Sequence, residues 1–411
     1  MMKQYFNDLV AGIETALSAN PDSKSPRKLY ALEIAKLGSR LYSGENRVAW
    51  CGIAAPFDIL SAMNVTSCFV EFIGAMLAST GLSTEFLIEA EHAGFASDIC
   101  GYHRAIMGAT RKGMMPEPDF LIGTTCPCSG GIAVMENMAA HFKKDLFVLN
   151  IPQQQTEGSV RYLADQIRQM VKFVSHHTGQ ILDEEKLRAA IIRTNRAREI
   201  IAETYEFAKQ TPSPADGKML ANFGIVMALL LGSDAAVTVA QAYRDEFAAR
   251  VKTGVSGSGK EKIRLMWIQN RIQFKNNLVD MLEKEFGAVV VIDELNDITW
   301  DAIDPDDPYT GIARRAISIP FNGEAARRID HLKKLAGEYK IHGAINPCNW
   351  GCRQGTGAKG LITEGLKEIG VPVLNLEVDC IDHRTFADGQ IKTRMEAFIE
   401  MLDNRPSPWE G

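Results

Sequence analysis

Asp119-Phe-Leu-Ile-Gly-Thr-Thr-Cys-Pro-Cys128 and, far downstream, Gly343-Ala-Ile-Asn-Pro-Cys-Asn-Trp-Gly-Cys352 decide the fold. Each is a short apolar run that ends in two cysteines. Behind the first comes a helical stretch and then Val148-Leu149-Asn150; behind the second comes a helical stretch and then Val373-Leu374-Asn375. Cys128 stands 22 residues before Asn150, and Cys352 stands 23 before Asn375. A short apolar run bounded by turn residues and followed by a 3.6-residue period reads as a buried strand of a parallel sheet. The same order met twice reads as one plan used twice. Open α/β sheets take ligands beyond the carboxyl ends of their strands. Both cysteine groups, Cys126/Cys128 and Cys348/Cys352, are therefore expected just past strand ends. Two such units facing each other would bring them to one cleft.

Outward from these runs, residues 48–53, 67–72 and 145–150 join 119–125 as a first set of strands, with a helix over 56–64. Residues 263–268, 288–292, 341–345 and 371–376 form a second set, separated by helical patterns over 276–285, 324–338 and 358–369. Strands alternating with helices imply an α/β fold: two similar domains with parallel sheets and added helices. The added helices fall over the first forty residues, broken at Pro21 and Pro26, and over 160–177 and 184–209. The organisation expected is N-terminal helices 1–44, a first α/β domain 45–155, a helical segment and linker 156–261, a second α/β domain 262–378 and a C-terminal helix 379–411.

Composition narrows the function classes. Hydrophobic residues make up 46% of the 411 and charged residues 23%, which excludes a disordered, collagenous or coiled-coil chain. Forty-five Lys and Arg against 51 Asp and Glu leave a net charge of −6 without a basic stripe, so no nucleic-acid partner is expected. The longest purely apolar stretch, 225–231, is too short to cross a bilayer. The opening residues carry no apolar h-region, and a cytoplasmic protein is expected.

Eight cysteines are present, and reduced thiols are the default in that compartment. Cys126/Cys128 and Cys348/Cys352 lack the paired spacing of a zinc ribbon; converging in space, they could hold an iron–sulfur cluster. Cys51, Cys68 and Cys380 sit in or beside apolar runs and read as packing residues. Cys100 opens a turn of small and polar residues and reads as functional. His176-His177 reads as a solvated helix end. Glu71, a carboxylate in an otherwise apolar strand, reads either as an acid or base of raised pKa or as an edge residue facing water. Gly254-Val-Ser-Gly-Ser-Gly-Lys260 approaches a phosphate-binding loop. Glu261 replaces the hydroxyl residue and a strand follows where a helix is needed, so the run reads as a flexible linker.

Two long stretches carry a resemblance. Gly370-Val-Pro-Val-Leu-Asn-Leu-Glu-Val-Asp379 with Gly389-Gln-Ile-Lys-Thr-Arg-Met-Glu-Ala-Phe-Ile-Glu400 is similar to the C-terminal signature of the 2-hydroxyacyl-CoA dehydratase and benzoyl-CoA reductase family. Asp98-Ile-Cys100 with Arg104 and Gly108, then Pro118-Asp-Phe-Leu-Ile-Gly123 and Glu136-Asn137, resembles its N-terminal half. The resemblance spans roughly residues 45–402. It implies two Rossmann-like domains with one [4Fe-4S] cluster in the cleft between them, held by three cysteines. Position by position these are Cys100, then Cys128 or Cys126, then Cys352. Cys128 follows from counting back from Glu136, and Cys126 from the Gly-Thr-Thr-Cys wording. The spare Cys126 and Cys348 leave open a fourth ligand or a larger cluster. The activity implied is loss of water from an (R)-2-hydroxyacyl-CoA thioester through a ketyl radical, by a heterodimer of homologous subunits. The electron would come from a separate ATP-hydrolysing iron–sulfur activator. An aromatic acyl-CoA reductase subunit, a double-cubane reductase of small molecules and a non-catalytic electron-relay subunit are the alternatives the same resemblance leaves.

Overall fold

The computed structural model describes residues 2–19, 25–220 and 229–409. Pro21 and part of the apolar stretch 225–231 lie outside the described residues. Helices α1 (Met2–Ala19) and α2 (Pro26–Leu41) come first, the second capped by the Ser25 hydroxyl with Pro26 at its first position. The first sheet follows: β1 (Val48–Cys51), α3 (Phe57–Ala62), β2 (Thr66–Phe69), α4 (Val70–Ser79), α5 (Ser83–His92), α6 (Gly101–Arg111), β3 (Phe120–Thr124), α7 (Ser129–Phe142) and β4 (Leu146–Leu149). Next come α8 (Glu157–Thr178), α9 (Glu184–Ala208), the short α10 (Gly217–Leu220) and α11 (Asp234–Thr253). The second sheet is built from β5 (Ile263–Trp267), α12 (Leu278–Asp280), β6 (Ala288–Asp293), α13 (Pro308–Ser318), α14 (Ala325–Glu338), β7 (Gly343–Asn349), α15 (Arg353–Gly357), α16 (Lys359–Lys367) and β8 (Val373–Val378). The last helix is α17 (Asp388–Asp403).

Every strand pair is parallel, and the two strand orders correspond: β2-β1-β3-β4 and β6-β5-β7-β8. The strands β1, β3, β6 and β7 are buried along their whole length, as strands covered on both faces must be. In each sheet the chain crosses from one side of its first strand to the other. That makes a switch point between β1 and β3 and between β5 and β7, where the carboxyl ends leave a crevice.

The register corrects the sequence match in one respect. The last pairs with the central strands are Cys51 with Ile122 and Trp267 with Ile345; Ile122 then faces Phe147, while Ile345 faces Leu374. Leu374 therefore corresponds to Phe147, two residues before the Leu149 that the Val-Leu-Asn match selects. A slip of two preserves the face, so the sequence pattern cannot detect it.

Three other expectations change. The second strand ends at Phe69, and Val70, Gly74 and Ala78 recur at helical spacing on the buried face of α4. The third strand of the second sheet runs on through Cys348 to Asn349. The run 254–260 is tied down: Gly257 N–H donates to Ser213 O at 2.9 Å, and Glu261 pairs with the buried Arg264 at 2.6 Å. Glu261 also accepts from Ser213 N–H at 2.5 Å, so the residue that spoils the phosphate loop anchors the chain at Ser213.

Two apolar cores lie under the two sheets, and α9 runs through both. Leu187 and Ile191 belong to the first core, and Ala197, Ile200, Ile201, Tyr205 and Ala208 to the second. Among the described residues no helix is long and apolar enough to cross a membrane.

Helix α6 presses on α5 at Gly108, where a Cβ would stand 1.8 Å from the Phe86 carbonyl oxygen. Gly108→Ala is expected to lower stability by about 1–3 kcal/mol through overpacking. A lower urea midpoint at unchanged slope would report it.

Candidate functional site

Three half-buried cysteines each open a helical segment. Cys100 caps α6, Cys128 caps α7 and Cys352 caps the single turn of α15. Cys128 and Cys352 follow the third strands of their sheets, β3 and β7, and so hold corresponding places. Main-chain N–H groups of Tyr102 and His103 point at the Cys100 sulfur, and those of Gly130 and Gly131 at Cys128. Gly355 N–H donates to Cys352 Sγ at 3.2 Å. Such donors favour the thiolate, the form that binds metal or attacks an electrophile.

Cys352 neighbours both of the other two sulfurs. Burial first, and then the charge of Cys352, pushes the Cys100 thiol well above its ordinary value. Cys128 is raised by burial and, more weakly, by Cys352. Close backbone contact sets this approach. Gly351, at φ 72°, leaves room for no Cβ, which would stand 2.4 Å from Cys100 N and 2.6 Å from Asp98 O. Gly101 faces Asp379 with the same economy, its Cβ position lying 2.3 Å from Oδ1. Arg104 closes the contact: it donates to Asp379 Oδ2 at 2.9 Å, to Glu91 Oε1 at 2.8 Å and to Ile99 O at 3.0 Å.

The remaining cysteines are buried. Cys126 belongs to the first core, and burial, then Cys128, pushes its thiol up to about 12 against the lowering charge of Arg327. Cys348 lies within β7, not past its end, opposite Glu377 in the ladder. Its sulfur sits 3.6 Å from Asn346 O and from Asn375 Oδ1, and its charged neighbours are Lys359, Glu377 and Arg394. Cys51 and Cys68 are neighbours on the adjacent strands β1 and β2 of the first sheet. Cys380 is fully buried close behind Cys100 and Cys352. Among the described residues, no three His, Cys, Asp or Glu side chains gather tightly enough to hold a single metal ion.

Glu71 is in the first turn of α4, not in a strand. Its Oε1 lies 3.6 Å from Nε2 of the buried His103, and its Oε2 is buried without a hydrogen-bond partner. The glycines that open α7 form the floor of the same place. A Cβ on Gly130 would stand 3.4 Å from His103 Nδ1 and 3.7 Å from Cys128 Sγ, and one on Gly131 3.5 Å from Glu71 Oε1. A carboxylate–imidazole pair therefore adjoins Cys128, an arrangement able to take and hold a proton. Sequence reading missed His103; the signal was its position three residues after Cys100, on the first turn of α6. His177, expected in solvent, instead packs on Phe173 and Phe120 with ring centroids 4.5 and 5.4 Å away.

A cavity of about 1190 Å³ lies at the opposite edge of the first sheet, before β1 and β3. Its Arg47, Lys112 and Lys144 are paired with Asp119, Glu85 and Glu117 at 2.7, 2.6 and 3.1 Å. It lies away from the carboxyl strand ends, and its cations are neutralised.

Two outcomes follow from this geometry. In metal-free, reduced protein, brief iodoacetamide treatment followed by peptide mass mapping should label Cys100, Cys128 and Cys352 ahead of the five buried thiols. Arg104→Met strands the buried Asp379 carboxylate and should cost roughly 3–5 kcal/mol, measured by urea unfolding.

Comparison with known proteins places this geometry in a family. The chain is 25% identical to the alpha subunit of (R)-phenyllactyl-CoA dehydratase of Clostridium sporogenes over 371 residues, covering 87% of this chain and 89% of that protein. It is 24% identical to the alpha subunit of lactoyl-CoA dehydratase of Anaerotignum propionicum, covering 87% and 90%. It is 25% identical to one of the subunits of benzoyl-CoA reductase of Thauera aromatica, covering 78% and 80%. Residues 53–402 match the family described as 2-hydroxyglutaryl-CoA dehydratase, D-component, and the chain belongs to that family.

Proposed function

We propose that the chain is the iron–sulfur subunit of an (R)-2-hydroxyacyl-CoA dehydratase, with Cys100, Cys128 and Cys352 as thiolate ligands of one [4Fe-4S] cluster in the cleft between the sheets. The carrying observation is the meeting of three half-buried cysteines from three separate elements, each facing main-chain donors. The donor set fits the group. A single zinc would need its thiolates about 2.3 Å from one centre, which these residues do not provide. A four-iron cluster puts each thiolate on a different iron and tolerates the wider spacing. Cys128 is preferred over Cys126 because Cys126 is turned into the core. Cys348 has Lys359, Glu377 and Arg394 as its charged neighbours and Cys51 has Cys68 and Glu71, which favours three ligands over the six thiols of a double-cubane site.

Cys100, Cys128 and Cys352 would hold the cluster, which would supply a low-potential electron to the thioester. The chain's own residues supply the proton handling. Loss of water from a 2-hydroxyacyl group removes the hydroxyl from C2 and a proton from C3. Glu71 Oε2, buried and unpartnered beside Cys128, is the acceptor we assign to that proton, with His103 Nε2 lying 3.6 Å from Oε1. Domains 45–155 and 262–378 would form the two walls, joined by 156–261 and followed by the helix of 379–411. A homologous second subunit is proposed because the relatives are themselves named as single subunits of their enzymes. ATP hydrolysis falls to a separate iron–sulfur activator, since the one phosphate-loop-like run here ends in the Glu261–Arg264 pair. The identity to a chain of benzoyl-CoA reductase favours a second reading, reduction of an aromatic thioester by the same site.

Anaerobic iron and sulfide analysis with EPR tests the proposal: about four irons per chain are expected. Cys100→Ser, Cys128→Ser and Cys352→Ser should each lose them, while Cys126→Ser and Cys348→Ser keep them. Iron near zero in an intact wild-type fold would overturn the reading, and loss of iron in Cys126→Ser but not Cys128→Ser would overturn the ligand choice. Glu71→Gln should keep its iron and lose about 10²- to 10⁴-fold in dehydration rate, assayed with activator and partner. Turnover of benzoyl-CoA but not of 2-hydroxyacyl thioesters would select the second reading.

A further inference from the structure

Two amide side chains reach the cysteine group, and in each the oxygen is already committed. Gln269, buried just past β5 at φ 49°, accepts at Oε1 from Arg328 Nη2 at 2.8 Å. A guanidinium has donors only, so the amide cannot turn over without setting donor against donor. Its Nε2 is left facing Cys352 Sγ at 4.0 Å. Arg328 is itself held by both oxygens of the buried Glu294, at 2.6 and 2.7 Å, and by Gln354 Oε1 at 3.2 Å. Asn349, at the end of β7, repeats the device. Its Oδ1 accepts the Cys380 N–H at 2.7 Å, which turns Nδ2 toward Cys100 Sγ at 3.7 Å. Asn270 adds a third donor. Its Nδ2 is buried without a partner, and a Cβ on Gly355 would stand 3.1 Å from it and 3.3 Å from Cys352 Sγ.

We infer that Gln269, Asn270 and Asn349 are positioning residues that set the reduction potential of the cluster, with Arg328 fixing the direction of the Gln269 amide. The inference rests on the cluster assignment proposed above. One-electron reduction adds one negative charge to the sulfur-rich group and makes or breaks no bond. In the cell the electron comes from a low-potential iron–sulfur donor, and in the test below from a reduced viologen. Donors aimed at the ligand sulfurs stabilise the more negative state and raise the potential. Removing one should make the cluster harder to reduce while the thiolates still hold it.

The test compares the anaerobic iron-loaded protein with Gln269→Met and Asn270→Ala, reduced stepwise with viologen mediators and followed by EPR. Each variant should keep its iron. At the wild-type midpoint the ratio of reduced to oxidised cluster should fall about tenfold, a shift of about 59 mV for a one-electron couple. Asn270→Ala removes no side-chain hydrogen bond present in the structure, so it decides the matter if Gln269→Met loses iron or fails to fold. Full iron with an unchanged or higher midpoint overturns the inference and leaves the cluster assignment standing. Wild-type protein without iron overturns the cluster assignment, and the inference falls with it.

Discussion

The turn that carries Cys352 and the loop that carries Cys100 touch backbone to backbone, with a Cβ position on Gly351 only 2.4 Å from Cys100 N. That contact is the constraint on which the candidate site depends. Cys100 comes from the first half of the chain and Cys352 from the second, so no helix or sheet holds them together. Two glycines permit the approach, and the Arg104–Asp379 pair keeps it closed. The pair is almost wholly buried, where truncating one partner costs far more than a surface ion pair returns. The same Asp379 accepts from Ile381 and Asp382 N–H, so the chain end of β8 is shaped by the carboxylate that pins α6.

Helix α9 supplies the matching constraint at a distance. One face of its first half completes the core of the first sheet, and the second half completes that of the second. A 25-residue helix is stiff on this scale, and its Asp183 cap, which accepts two main-chain N–H groups, fixes where it starts. The two crevices at the switch points are thus set relative to one another by a rod buried in both cores, and the glycine contact works as a short clasp within that frame.

Around the thiols the lining is one-sided in its chemistry. Main-chain N–H groups, the amides of Gln269 and Asn349 and the buried Nδ2 of Asn270 all present hydrogens toward this place. Such a lining suits anionic sulfur and penalises a neutral, apolar occupant. Glu71 Oε2, a buried acceptor without a hydrogen-bond partner, lies on the Cys128 side beside His103. The side-chain amide donors thus lie by Cys100 and Cys352, and the Glu71 acceptor by Cys128.

The sequence by itself determined the strands, their parallel arrangement and the repeated order, and it nominated the cysteines proposed as ligands. Those properties are local: apolar runs of four to seven residues, turn residues at their ends and cysteines at set offsets from them. Tertiary structure decided the rest. Four to six apolar residues fit a strand and the start of a helix equally well, so Glu71 moved from β2 into α4 only once the fold chose. Both Cys126 and Cys128 lie beyond the end of β3, where strand alternation no longer assigns a side; Cys126 entered the core while Cys128 stayed half-buried, and Cys348 was absorbed into β7. The partners that fix the site, Arg104 with Asp379, Gln269 with Arg328 and Asn349 with Cys100, are separated by 275, 59 and 249 residues. No local pattern encodes contacts at such separations; they exist because elements of two independently legible sheets were packed together.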